Sequence, residues 1–180
     1  SQIFVSLQLY APVVLISFFG SNLMAGQYRI VEQIIVIFKT YIFLFFNYVF
    51  PKVCYLLEID YKVGMKNWKI YNGVNFVFVI SGMALFFVFS HEIVSYFSPT
   101  NHDVLSSLLE VAVFIPIFLA ISIPLKQLIL AYNYNKFYVA LTSIMVIFNL
   151  IIIVILLPYY QVYGVLYSLN ATELIIIIFY

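Results

Sequence analysis

Charge is what this chain has least of. Charged residues make up 8% of its 180 residues, about a third of the usual share in soluble proteins. With 66% of residues hydrophobic, a soluble domain of this size would leave much apolar surface in water, because small domains bury only part of their chain. A soluble globular fold is thereby excluded. Cysteine is nearly absent. Cys54 stands alone, which excludes an internal disulfide and a cysteine-built metal site, and it reads as a small hydrophobe. The net charge of +1 offers no basic stripe for nucleic acid. Histidine is scarce too. His91 and His102, with Glu92 and Asp103, read as an outer loop whose spacing matches no helical metal pair, so no metal or other cofactor is expected. A short signal-like segment with a cleavage site is also missing. The chain opens on Ser1, is apolar from Ile3, and ends at Tyr180 without a polar tail. It reads as a piece of a longer protein.

Long apolar runs are what the chain has instead. A spanning helix needs about 20 apolar residues, and six candidate spans are found at 3–19, 30–57, 74–97, 104–131, 137–159 and 162–180. The second and fourth exceed one bilayer thickness and must tilt or extend into the interface. The fold class expected is all-α and polytopic. Transmembrane strands alternate apolar and polar residues, whereas these runs are apolar all round. The breaks between them carry turn chemistry: GSNLMAGQYR, EIDYKVGMKNWKIYNG, SPTNHD with Pro99, YNYNK and PYYQVYG.

Lysine and arginine set the orientation. The second loop carries Lys52, Lys62, Lys66 and Lys69, and the fourth carries Lys126 and Lys136, counting the helix ends. The first has Arg29 alone. The second and fourth loops therefore read as cytoplasmic, and with six spans both ends of the chain do too. Tyr61, Trp68 and Tyr71 among the lysines of the second loop read as anchors at headgroup level in contact with membrane lipid.

The second span carries charge inside a run built for lipid. On a helical wheel Arg29, Gln33, Thr40 and Asn47 fall within about 40° of each other, with Glu32 and Lys39 some 60–80° to one side. That predicts a helix with one wet flank. Lys39 lies about eleven residues, or roughly 16 Å, below the outer end near Tyr28, close to the middle of a hydrocarbon core about 30 Å thick. An ammonium there costs about 3 kcal/mol even on lenient scales, and such groups face a bundle interior or a water-filled cavity. Glu173 sits at nearly the same depth in the last span. Lys39 and Glu173 are expected to pair directly or to line one cavity. Arg29 and Glu32, three residues apart, can satisfy each other. Pro12, Pro116 and Pro124 bend the helices that hold them. Asn149 and Asn170 are placed to bond across helices.

The tail, NLIIIVILLPYYQVYGVLYSLNATELI, resembles the last two spans of the Wzx-like polysaccharide flippases of the multidrug/oligosaccharidyl-lipid/polysaccharide exporter superfamily. Asn149, Pro158, Tyr163, Gly164, Thr172 and Glu173 fall at the matching places. SNLMAGQYRIVEQI is similar to the turn opening the family's eighth span, FNYVFPKVCYL to its close, and IPLKQLILAYNYNKFY to the end of the tenth. Tyr167 departs from the pattern, where the family often has glycine. The resemblance implies the C-terminal lobe of a twelve-helix, two-lobe transporter in the bacterial inner membrane, with an N-terminal lobe of the same chain as its partner. It also implies an undecaprenyl-diphosphate-linked oligosaccharide as substrate, moved for O-antigen or other surface polysaccharide. Arg29, Glu32, Gln33, Lys39, Thr40, Asn47 and Glu173 are the residues expected along its path, and no catalytic residue is expected.

Two rivals stand beside it. A cation-coupled multidrug exporter of the same superfamily would use Glu173 or Glu32 as its ion site and would have an acidic cavity rather than a basic one. A membrane enzyme of polysaccharide assembly, a polymerase or acyltransferase, would call for a long basic outer loop or a histidine near the membrane.

Overall fold

In the computed structural model, residues 2–98 and 102–180 are described, with side chains from Tyr10 onward. Ser1 and Pro99 lie outside the described residues. Helix accounts for 94% of what is described, and there are no strands among the described residues. Many of the side chains are β-branched or aromatic and are indifferent helix formers in water. In hydrocarbon the choice is different, because a backbone with no water to bond must bond itself, and a helix does so within one segment.

Seven helices follow in order: α1 (Gln2–Phe19), α2 (Asn22–Ile59), α3 (Tyr61–Val88), α4 (Ser90–Phe97), α5 (His102–Ala112), α6 (Phe114–Ala131) and α7 (Asn135–Phe179). Four stretches are long and apolar enough to cross a membrane: Asn22–Ile59, Tyr61–Val88, His102–Ala131 and Asn135–Phe179. The outside of the bundle is itself oily. Phe18 and Tyr48 are 82% exposed and Ile178 78%, a surface suited to lipid rather than water.

The helices begin and end where local chemistry dictates. Ser21 caps α2, its Oγ accepting from the Met24 amide at 3.2 Å. A single residue, Asp60, separates α2 from α3, and its carboxylate accepts from the amides of Lys62 (2.8 Å) and Val63 (3.2 Å). Such a cap satisfies donors that would otherwise be orphaned at a helix start. The polar stretch 58–73 is therefore helix, not the loop expected: Asp60 supplies the cap, and the residues after it tolerate a helix. Gly64 makes the tight turn possible, since a Cβ there would lie 2.7 Å from the Leu57 amide nitrogen. Beyond the turn the two helices pack antiparallel. Lys52 lies 5.0 Å over the Tyr71 ring, Tyr41 meets Phe78 at 5.0 Å and Phe38 meets Phe86 at 5.3 Å.

Two expected spans are each interrupted. The run 74–97 breaks at Phe89, between α3 and α4, and 104–131 breaks at Val113, between α5 and α6. Pro116 falls in the first turn of α6, where a missing amide hydrogen is tolerated. His91 and Glu92 are in α4, and His102 and Asp103 open α5, so none of the four is in a loop. At the end of α6, Asn133 takes a left-handed φ of 60°. The Asn133 and Tyr134 amides bond back to the Leu130 and Ile129 carbonyls at 3.0 Å, a helix stop that asparagine accommodates.

The last helix doubles back on itself. Gln161 is non-helical (φ 53°, ψ −135°). In a straight helix Asn149 and Thr172 would be about 34 Å apart. Instead Asn149 Nδ2 donates to Ser168 Oγ and to Thr172 Oγ1, both at 2.9 Å. Residues 135–160 and 162–179 are thus two antiparallel limbs. Asn170 Nδ2 also donates to the Val111 carbonyl at 3.1 Å, tying the second limb to α5.

A second clasp joins α3 to α6. Trp68 Nε1 donates to the Pro124 carbonyl (3.3 Å), and Asn72 Nδ2 to Gln127 Oε1 (3.2 Å). Trp68 and Asn72 lie just after the Asp60 corner, and Pro124 and Gln127 just before the Asn133 corner. Both lysine-bearing corners therefore sit at one end of the bundle. Trp68 is packed against α6 rather than held only by an interface.

The hairpin in α7 generates a paired expectation. Gly164→Ala would place a Cβ 2.8 Å from the Leu156 carbonyl oxygen, backbone that cannot swing away, and should lower stability by about 1–3 kcal/mol. Gln161→Gly should raise it by about 1 kcal/mol, because the positive φ costs a side-chain-bearing residue. Reversible unfolding in mixed detergent micelles reads both. Unchanged midpoints would mean that the limbs do not meet as described.

Candidate functional site

Four helix faces meet around one partly enclosed cavity of about 140 Å³. From α2 come Tyr28, Glu32, Lys39, Phe43 and Phe46. From α6 come Ile115, Leu119, Ile123, Lys126 and Leu130. The first limb of α7 adds Tyr138 and Thr142, and the second adds Leu169 and Glu173. The spacings of three, four and seven residues put each set on one side of its helix. The lining runs from Tyr28 to Phe46 on α2 and from Ile115 to Leu130 on α6, about 22–27 Å at the helical rise. That length is close to the thickness of the hydrocarbon core, about 30 Å. The cavity is a narrow cleft along the helices rather than a round chamber.

The charges in it are specific in their partners. Glu32 is buried and accepts from Arg29 Nη1 at 2.8 Å; the arginine side chain itself is 53% exposed. Glu173 is 3% exposed, and its Oε2 accepts from Ser122 Oγ at 2.8 Å. Lys39 is half-buried, makes no ion pair within 4 Å among the described residues, and lines the cavity together with both carboxylates. Two lysines and two carboxylates line the cavity; with Glu32 already paired to Arg29, Lys39 and Lys126 stand against Glu173. Hydroxyls from Tyr28, Tyr138 and Thr142 and the rings of Phe43 and Phe46 complete the wall. Such a lining can hold an anion, hydrate hydroxyl-rich groups and give an apolar moiety a place to lie.

The structure divides the residues singled out on α2. Glu32 and Lys39, on α2, line the cavity with Glu173, on the second limb of α7, and Lys39 is bonded to neither carboxylate among the described residues. Arg29 and Gln33 line a smaller hollow with Tyr10, Glu32 and Val36, so Glu32 belongs to both spaces. Thr40 and Asn47 are exposed and line neither. Two stripes one residue apart run along α2: 32, 39 and 46 face the cavity, while 33, 40 and 47 face outward. Ser122, Lys126, Tyr138 and Thr142 were not singled out in the sequence. Lys126 was counted only as a loop charge, and the other three are polar residues in oily runs. That last feature was the available signal.

Away from the cavity, α4 and α5 bring His91, His102 and Asp103 together. His91 Nε2 and His102 Nε2 lie 3.3 and 3.7 Å from the same Asp103 Oδ1.

If Lys39 and Glu173 sense each other across the cavity, removing both should cost less than the separate losses imply. Lys39→Ala, Glu173→Ala and the double variant should give a coupling of about 0.5–3 kcal/mol in unfolding free energy. Strictly additive losses would show that the two charges are independent. The chain matches no known family model, no curated protein and no solved structure, so its function has to be read from the cavity.

Proposed function

We propose that this chain is one lobe of a membrane transporter that carries an anionic, lipid-linked oligosaccharide of the undecaprenyl-diphosphate class from the cytoplasmic to the periplasmic leaflet. The observation that carries the reading is the cleft itself, about as long as the hydrocarbon core is thick and lined by two lysines against one carboxylate not already paired to a cation. A diphosphate and its sugars cannot cross that core unaided. Lys39 and Lys126 would offset the phosphate charge, the hydroxyls would replace water around the sugar, and Phe43 and Phe46 would lie against the lipid. The order of motifs in the tail points the same way. No covalent chemistry is required.

In this reading the chain crosses the inner membrane six times: by α1, by α2, by α3 with α4, by α5 with α6, and by each limb of α7. The lysine-bearing corners at one end of the bundle face the cytoplasm under the positive-inside rule, as do both ends of the chain. A second lobe completes the passage, the outward stripe of Gln33, Thr40 and Asn47 faces it, and rocking of the two lobes provides alternating access.

Glu173 is the observation that favours a second reading, a cation-coupled exporter. Its carboxylate is deeply buried, lines the cavity with Lys39, and among the described residues accepts only from a neutral hydroxyl, a setting in which an ion or proton can be exchanged. One experiment separates the two. Deleting the gene in its host should abolish surface glycan and trap lipid-linked units on the cytoplasmic leaflet, with rescue by the wild-type chain and poor rescue by Lys39→Ala. Intact glycan together with raised sensitivity to organic cations would overturn the flippase reading in favour of the exporter.

A further inference from the structure

We propose that His91, His102 and Asp103 form a surface site for a first-row transition ion of the Zn²⁺ type. The three ligand atoms lie within 4.8 Å of one another. Two imidazoles converge on one carboxylate oxygen, Nε2 of His91 at 3.3 Å and Nε2 of His102 at 3.7 Å, with ring centroids 4.7 Å apart and planes at 76°. Those separations are long for N–H···O bonds, which cluster at 2.7–3.2 Å. They are close to the edge of a coordination tetrahedron, about 3.3–3.4 Å for ligands roughly 2.0–2.1 Å from a central ion. Asp103, 86% exposed, and His91, 57% exposed, have room to move toward a shared ion.

The backbone beneath the cluster is held in place. His91 is the second residue of α4, and His102 and Asp103 are the first two of α5. The two helices are joined beside the cluster by Ser90 Oγ donating to Glu110 Oε1 at 3.1 Å, and Val94, Leu105, Leu108 and Leu109 are buried in the core beneath. Two nitrogen donors and one oxygen suit zinc, nickel or copper. Calcium and magnesium ask for an all-oxygen shell. The fourth position would be left to water, and a bound ion would staple α4 to α5 at their starts. The cluster lies at the far end of α3 from the Asp60 corner, 28 residues of helix away, so the site is independent of the cavity and of the transport reading.

The test uses the full chain purified in detergent, freed of any affinity tag and treated with chelator. Zn²⁺ alone is titrated against a chromophoric competitor, and Co²⁺ serves as a spectroscopic probe of ligand geometry. One ion per chain is expected at micromolar concentration, with a rise in melting temperature. His91→Ala and His102→Ala should each weaken binding by at least roughly tenfold, or ~1.4 kcal/mol, and Asp103→Asn should change the Co²⁺ spectrum. Helical circular dichroism verifies that the variants are folded, as their exposure leads one to expect. Equal binding by the wild type and the His91→Ala/His102→Ala double variant, or no binding below millimolar Zn²⁺, would overturn the proposal.

Discussion

The structure depends on one constraint: a polar group inside hydrocarbon has no water to bond, so its partner must come from the protein. Most of what positions one helix against another follows from that. Asn149 reaches Ser168 and Thr172, Asn170 reaches the Val111 carbonyl, Trp68 and Asn72 reach Pro124 and Gln127, and Glu173 takes the Ser122 hydroxyl. Each contact joins two segments distant in the chain. Such bonds average about 0.6 kcal/mol each, too little for one of them to hold the bundle, but they fix register where apolar packing alone would allow sliding. Close backbone approach does the rest. Gly164 against Leu156 and Gly64 against Leu57 let the chain reverse tightly at Gln161 and Asp60.

The same constraint explains where the charges sit. Glu32 is neutralised by Arg29, Glu173 is hydrogen-bonded, and Lys39 looks into the space shared with both. A purely structural lock would have closed Lys39 onto Glu173. Here both line an open cleft with Lys126, and that arrangement leaves room for a guest.

Much of this could be read from residue order, and the remainder could not for identifiable reasons. Helix was readable from the long apolar runs, and the breaks at Gly20, Asn133 and Gln161 fell within stretches with visible turn chemistry. The helical continuity of 58–73 was hidden because its polarity resembles a loop, and the capping by Asp60 depends on a geometry that residue order only suggests. A wheel drawn for α2 alone places its polar residues in adjacent stripes. Which stripe turns inward is decided by α6 and α7, which the wheel does not contain. That is why Lys39 and Glu32 are found in the cleft while Thr40 and Asn47 are outside it. The meeting of His91 with His102 was invisible for a related reason: eleven residues apart, they come together only because α4 and α5 fold against each other.

The central claim is that position 39 opens onto water in the middle of a helix surrounded by lipid. Cys54 is the single native cysteine, so a Cys54→Ser background makes accessibility measurable one position at a time. A thiol reacts as its thiolate, which forms in water and not in hydrocarbon. In membranes, Lys39→Cys should be labelled by a small hydrophilic thiol reagent, while Val77→Cys and Leu85→Cys, on the exposed apolar flank of α3, should stay silent. A silent position 39 beside a reactive position 77 or 85 would contradict the account.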